Sequence, residues 1–195
     1  LLLELLAAAG IAPVTVELGH MGLFHAICEE AHFDRARESR ILERLLMKDE
    51  SGLAEALAGT APEVARHLRA LLELNGDDEV LGQARSALTG APASVGLALD
   101  DIERLVALVR SRMPAADIHL DFAELRGYRY HTGVMFAAYT TSIGRAIAWG
   151  GRYDNIGHSF GRSRPATGFS TDLKVLASLA RDTPLALPRI FAPAA

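Results

Sequence analysis

The sequence predicts an α+β fold in which a helical block interrupts an antiparallel β-sheet. Apolar residues recur at spacings of three and four from Met21 to about Arg112, as on the buried face of amphipathic helices. Beyond Pro114 the apolar residues instead alternate with polar ones or form short runs suited to strands. Half of the 195 residues are hydrophobic and 23% are charged, which is typical of a soluble globular protein with a substantial core.

The first two elements are the end of a helix and a short strand. Residues 1–9 have helical spacing and stop at Gly10, a residue type that favours helix ends. "VTVEL" (14–18) alternates and predicts a strand, and "GHMGLF" (19–24) leads from it into the next helix. The opening "LLLELLAAAG" has no basic segment and contains Glu4, so we do not expect a signal peptide.

The middle of the chain is predicted to be a block of helices. The segments with the clearest helical spacing are "RESRILERLLMKD" (37–49), "APEVARHLRALLEL" (61–74) and "LALDDIERLVALVRSRM" (97–113). "TAPE" (60–63) offers an N-cap followed by Pro and Glu, and "NGDD" (75–78) and "TGAPAS" (89–94) mark breaks between helices.

Four strand patterns and one helix follow Pro114. They are, in order, "IHLDFAEL" (118–125), "TGVMFAAYTT" (132–141), "RAIAWG" (145–150), "PATGFST" (165–171) and the helical "DLKVLASLAR" (172–181). The second and third patterns flank "SIG", a hairpin signal. We therefore expect residues 1–18 and 114–195 to form one core with the helical block 19–113 within it. We also expect both ends of the sequence to be cuts in a longer protein.

Cysteine and histidine usage argues against disulfides and metals. The single cysteine, Cys28, lies in an apolar helical run, so we expect a buried, unreactive thiol and a protein of the cytosol. His20, His25 and His67 lack the spacing of a ligand set, so no metal site is expected. No apolar run reaches the ~18 residues of a membrane span, so no membrane association is expected either.

Positive charge is concentrated in one segment. Residues 126–164 contain six arginines, no lysine and one acid, Asp154, so this segment carries +5 while the whole chain carries −4. Arginine without lysine favours fixed, bidentate contacts to carboxylate or phosphate groups, although a solvated strand face would have the same composition. Nucleic-acid binding is not expected, because the overall charge is negative and the arginines alternate with apolar residues.

Four segments resemble the histidyl-tRNA synthetase family. "ELRGYRYHTGVMF" (124–136) is similar to the first histidine-binding signature, an Arg-Gly followed by two aromatic residues and Thr-Gly, and "GGRYDNIGHSFG" (150–161) is similar to the second. "RPATGFSTDLKVL" (164–176) falls where class II synthetases have motif 3, and "VELGHMGLF" (16–24) resembles the segment after motif 2. The resemblance implies a class II aminoacyl-tRNA synthetase-like core: an antiparallel sheet with flanking helices and a helical insert.

The departures from the synthetase pattern fall in the ATP site and in the first signature. Val175 occupies the position of the arginine that clamps ATP phosphates, and Asp172 replaces a glycine before the last helix. A valine cannot pair with a triphosphate, and an added carboxylate repels one. His131 stands at the second tyrosine of the first signature, and Arg129 at an acidic position. This combination resembles the family of synthetase-like regulatory subunits of ATP phosphoribosyltransferase.

The resemblance implies a regulatory role without catalysis. Such a subunit, with no cofactor of its own, assembles with a short-form ATP phosphoribosyltransferase catalytic subunit, self-associates, and is needed for the first step of histidine biosynthesis and for histidine feedback. Two alternatives stay open: a fragment of a true histidine–tRNA ligase, and a standalone histidine-binding module. Motifs 1 and 2 of the family are absent from the sequence.

A histidine ligand offers a carboxylate, an ammonium and an imidazole group. We expect Arg126 to pair with the carboxylate or lie along the ring, and Tyr130, His131 and Tyr153 to supply hydrogen bonds and stacking. Glycines that would let the backbone approach the ligand are Gly127, Gly133, Gly150 and Gly151. Plain hairpin packing is the alternative for each aromatic residue.

The local geometry of the first signature is predicted as well. We expect residues 124–140 to form two neighbouring strands with His131 rather than Tyr130 facing the ligand, because successive strand residues face opposite sides. Arg152 is predicted to pair with Asp154 or with another acidic residue.

Overall fold

A computed structural model describes residues 1–127, 131–155 and 161–180. The helices in these ranges are α1 (Leu2–Ala8), α2 (Met21–Glu30), α3 (Arg35–Leu46), α4 (Glu50–Ala56), α5 (Pro62–Glu73), α6 (Glu79–Ala87), α7 (Ala93–Arg112) and α8 (Leu173–Leu179). The strands are β1 (Thr15–His20), β2 (Asn75–Gly76), β3 (Asp117–Asp121), β4 (Val134–Thr140), β5 (Ile143–Arg152) and β6 (Thr167–Thr171). The predicted α+β class is confirmed.

The six described strands form one mixed sheet in the order β2-β3-β1-β4-β5-β6. Four of the five neighbouring pairs are antiparallel, as predicted, but β1 and β3 are parallel. A parallel pair needs a long crossover between its strands, and α2 to α7 supply that crossover. The prediction that residues 124–140 form two neighbouring strands is wrong, because β3 ends at Asp121 and β4 is the only strand among the described residues of this range.

The chain leaves β3 earlier than the alternating pattern predicts. The Asp121 carboxylate accepts hydrogen bonds from the backbone N–H groups of Ala123 (2.9 Å) and Glu124 (3.2 Å), which turns the chain out of the sheet. Phe122 and Leu125 are therefore fully buried outside any strand. The predicted β4–β5 hairpin is present, and its turn is Thr141–Ser142 rather than "SIG".

The helical block shares one hydrophobic core with the sheet. Side chains of α2 to α7 form a continuous cluster with Val16 and Leu18 of β1 and with Ile118 and Leu120 of β3. Cys28 is fully buried in this cluster, and burial raises the pKa of its thiol far above the usual range, as expected for an unreactive cysteine.

A second, smaller apolar cluster joins α1 and α8 to β4 and β5. Its buried members are Leu2, Leu6, Ile11, Ala138, Ile147, Ala148 and Leu176. Asp172 is the N-cap of helix α8, and its carboxylate accepts hydrogen bonds from the N–H groups of Lys174 (2.8 Å) and Val175 (3.4 Å). The Val175 side chain packs against the cluster. None of the described helices is long and apolar enough to cross a lipid bilayer.

Candidate functional site

A cavity of about 650 Å³ lies against one face of the sheet. Its floor follows from strand register: Glu17 of β1, Ala137 of β4, Trp149 of β5 and Ser170 of β6 are successive cross-strand partners. Directly paired residues in a sheet point to the same face, so these four side chains form one row across the floor. Trp149 is 51% exposed at the centre of this row, which leaves an aromatic face open to a ligand.

The loop between β3 and β4 forms one wall of the cavity. It supplies Glu124, Arg126, Gly127 and His131 to the lining. Arg126 Nε lies 2.9 Å from Glu124 Oε1, and the Arg126 side chain is 71% exposed whereas that of Glu124 is 18% exposed. The two form an ion pair whose guanidinium faces the open side, within reach of an incoming carboxylate.

Two glycines make room for the His131 ring. A Cβ atom at Gly127 would lie 2.6 Å from His131 Cε1, and one at Gly151 would lie 2.6 Å from His131 Cδ2. Gly127 also has a φ of +84°, which glycine adopts without strain. The centroid of the His131 ring lies 6.4 Å from that of Tyr153, at an interplanar angle of 50°. These two aromatic rings therefore form a connected wall.

Burial favours the neutral form of the His131 imidazole. Burial lowers its pKa, and its Nδ1 is buried with no hydrogen-bond partner among the described residues. A neutral ring presents one donor and one acceptor, so it can contact a ligand group of either kind.

The second signature loop is held by an ion pair and by backbone hydrogen bonds. Arg152 Nε lies 2.9 Å from Asp154 Oδ2, which confirms the predicted pair. The Tyr153 N–H donates to Ala166 O at 2.8 Å. Gly168 leaves space for the Tyr153 hydroxyl, because a Cβ atom there would collide with it. These contacts direct Tyr153 into the cavity.

Carboxylates in and near the cavity favour the binding of a positively charged group. Burial raises the pKa of Glu17, and the nearby Asp121 and Glu124 raise it further. Burial likewise raises the pKa of Glu124. The Tyr139 hydroxyl lies 3.5 Å from Glu17 Oε1, and its pKa is raised by burial and by Glu17. A ligand ammonium placed among these groups relieves their mutual repulsion.

The structure places the residues predicted for the site as follows. Arg126, Gly127, His131, Gly150 and Tyr153 line the cavity. Gly133 and Gly151 do not line it; the space at Gly133 is filled by the Arg152 side chain, 3.1 Å from the position of a Cβ, and that at Gly151 by His131. Tyr130, together with Arg129, lies outside the described residues.

Sequence reasoning missed several members of the lining: Glu17, Glu124, Tyr139, Trp149 and Phe169. Glu17 is the fourth residue of the alternating "VTVEL", and this alternation places it on the opposite face from Val16 and Leu18. Trp149 carried no such signal, because its position on the floor depends on the pairing of β5 with β4.

The arrangement suits a small zwitterion with an aromatic or heteroaromatic side chain. A guanidinium beside a carboxylate matches the adjacent carboxylate and ammonium of an α-amino acid. Trp149, Tyr153 and the neutral His131 then offer stacking and hydrogen bonds to its side chain.

Sheet order and the long helical crossover define a class II aminoacyl-tRNA synthetase-like fold. The chain belongs to the histidyl-tRNA synthetase family, whose model matches residues 1–176.

Relatives within this group include proteins named ATP phosphoribosyltransferase regulatory subunit. The one from Pseudomonas fluorescens is 44% identical over 181 residues, which are 93% of this chain and 46% of that protein. The one from Thioalkalivibrio sulfidiphilus is 43% identical over 197 residues, which are 100% of this chain and 50% of that protein. The chain thus spans about half the length of these relatives.

A solved structure gives the same picture of the fold. The protein described as an ATP phosphoribosyltransferase regulatory subunit/histidyl-tRNA synthetase from Bacillus halodurans matches with a TM-score of 0.81 at 25% identity, over 92% of this chain and 48% of that one.

Proposed function

We propose that this chain is part of a regulatory subunit of ATP phosphoribosyltransferase that binds histidine and performs no catalysis of its own. It acts with a short-form catalytic subunit in the first step of histidine biosynthesis, in the cytoplasm, and it transmits histidine feedback. The observation that carries the proposal is identity of 44% over 93% of the chain to a protein named as such a subunit.

The start of α8 supports a regulatory subunit over a histidine–tRNA ligase. Asp172 caps this helix with its carboxylate, and Val175 packs into the apolar cluster beneath it. Both residues have structural roles here, neither side chain can pair with a triphosphate, and the Asp172 carboxylate at the helix start opposes one.

The cavity supports histidine as the ligand. Arg126 is the candidate partner of the ligand carboxylate, and Glu17 and Glu124 are candidate partners of its ammonium. His131 and Tyr153 lie together on the wall, where an imidazole side chain finds donors, acceptors and a stacking surface.

The decisive experiment is reconstitution with the catalytic subunit. We expect a short-form ATP phosphoribosyltransferase catalytic chain to be weak or inactive alone and to gain activity when the full-length protein is added, measured as phosphoribosyl-ATP formation. Added histidine should then lower the rate. An unchanged rate over a wide excess of this protein would remove the regulatory role and leave a standalone histidine-binding module.

The ligase alternative has its own test. We expect the full-length protein with histidine and ATP to give only background pyrophosphate exchange, because histidyl-adenylate formation needs a clamp on the triphosphate. Exchange at the rate of an authentic synthetase assayed in parallel would instead identify the protein as an enzyme that activates histidine.

A further inference from the structure

Lys48 occupies an unfavourable backbone position at the end of α3. Its φ is +50°, in the left-handed region that glycine normally fills after a helix. A lysine in this conformation costs free energy relative to glycine. We therefore expect the Lys48 side chain to make a contact that offsets this cost.

The Lys48 side chain reaches out of the helical block to the end of β3. Its Nζ lies 2.5 Å from Asp121 Oδ2, and the Asp121 side chain is only 7% exposed. The other oxygen of this carboxylate accepts the N–H groups of Ala123 and Glu124. One carboxylate therefore connects the ammonium group to the backbone that begins the cavity wall.

The chain of contacts continues into the cavity. Glu124 pairs with Arg126 at 2.9 Å, and both line the cavity. The turn fits closely against β1: a Cβ atom at Gly19 would lie 3.0 Å from both Asp121 O and Glu124 O. A shift of the turn that Asp121 holds would move Glu124 and Arg126 together.

We propose that Lys48 is a positioning residue that fixes the amino-acid-binding wall from the helical block, through Asp121 and the turn at Ala123 and Glu124. This inference rests on the proposed function only for the identity of the ligand; the link from Lys48 to the turn is a property of the free protein. Through it, a movement of α3 would reach the cavity wall, although no residue of α3 lines the cavity.

The positive charge of Lys48 also stabilises the turn that carries the cavity wall. Lys48 offsets part of the repulsion among three neighbouring carboxylates, those of Glu17, Asp121 and Glu124, and so lowers the pKa of Glu17 and of Glu124 against the larger effect of burial. Its loss would leave the carboxylate of Asp121 buried without its cation, a costly arrangement that favours rearrangement of the turn.

Lys48→Gly is a sharp test, because glycine suits the backbone position and only the side chain is lost. His32→Gly is the matched control: His32 ends α2 with a φ of +51° and does not line the cavity. In the full-length protein we expect Lys48→Gly to weaken histidine binding about tenfold, Lys48→Arg to restore most of the affinity, and His32→Gly to bind like the parent, all by calorimetry. Equal affinity in Lys48→Gly and the parent would overturn the proposal.

Hydrogen exchange in the free protein separates this inference from the identity of the ligand. We expect the amides of Ala123 and Glu124 to exchange faster in Lys48→Gly than in the parent, with no change in His32→Gly. Unchanged exchange at these two amides would overturn the positioning role even in a protein that binds histidine. Faster exchange in Lys48→Gly, combined with a parent protein that does not bind histidine, would instead support the link from Lys48 to the turn and reject the proposed ligand.

Discussion

In the free cavity the Arg126 guanidinium and the Glu124 carboxylate satisfy each other. A ligand that carries both charges replaces one ion pair by two, whereas a simple anion or cation leaves one partner without its counter-charge. We therefore expect the cavity to bind amino acids in preference to other small anions of similar size.

Replacing Arg126 should therefore weaken the binding of histidine. For Arg126→Ala we expect a loss of about 1.5–3 kcal/mol, roughly ten- to a hundredfold in affinity, because a charge-assisted hydrogen bond is removed. Titration calorimetry on the folded full-length variant measures this change. Arg162→Ala is the control, since Arg162 is exposed and does not line the cavity. Binding of histidine to Arg126→Ala at parental strength would mean that the site is elsewhere.

We expect the Glu17 carboxylate to lower the stability of the folded protein while it contributes to ligand binding. Its pKa is raised in the folded state, so folding favours the protonated form, and the favourable contribution present in acid is lost as the pH rises through the raised pKa. Glu17→Gln keeps the side chain neutral at every pH. We expect the variant to have a higher Tm than the parent at neutral pH, with the difference vanishing in acid, while its affinity for histidine falls about tenfold or more.

Thermal unfolding over a pH series, combined with calorimetry of histidine binding, tests the two halves of this prediction for Glu17. The exposed Glu55→Gln supplies the control for the loss of one surface charge. A lower Tm for Glu17→Gln at neutral pH would show that the carboxylate stabilises the free protein, contrary to the effect of its burial.

At the scale of elements, two glycines of β5 differ sharply in their surroundings. A Cβ atom at Gly151 would lie 2.7 Å from the backbone oxygen of Val134 and 2.6 Å from the His131 ring, whereas one at Gly144 would meet nothing within 4 Å. We expect Gly151→Ala to destabilise the protein by about 2 kcal/mol, because the backbone of β4 cannot give way, and to displace His131. Gly144→Ala should be neutral or slightly stabilising.

Chemical denaturation of these two β5 variants gives the comparison, and histidine affinity gives the second readout. A Gly151→Ala protein as stable as the Gly144→Ala protein would contradict the close approach of His131 to β5.

How far the sequence predicts these elements depends on the range of the interactions that form them. Helices and the β4–β5 hairpin were predictable because spacing and turn residues are local signals. The parallel pairing of β1 with β3 was not, since it joins Thr15 to Asp117 across the whole helical block. The same distinction applies to the cavity. Arg126, His131 and Tyr153 lie in local sequence motifs and could be predicted from them, whereas Trp149 lines the cavity only because β5 pairs with β4 in this register.

At the scale of the molecule, each of the two apolar clusters combines segments that lie far apart in the sequence. The larger cluster unites the helical block with β1 and β3, and the smaller one unites α1 and α8 with β4 and β5. The cavity lies against strands from both groups, since Glu17 is on β1 and Trp149 is on β5. Ligand binding is therefore expected to stabilise both parts together.

Truncating one core residue in each cluster should separate their contributions. Leu68 of α5 belongs to the larger cluster and Leu6 of α1 to the smaller, and both are fully buried. Each change to alanine is expected to cost about 2–5 kcal/mol. We expect Leu68→Ala to speed hydrogen exchange in β1 and β3 as well as in the helices, and Leu6→Ala to act first on β5 and α8. Peptide-level exchange measured by mass spectrometry distinguishes these patterns. If Leu68→Ala loosened the helices while β1 and β3 kept parental protection, the block would be a separate folding unit and α3 would have no rigid path to the cavity.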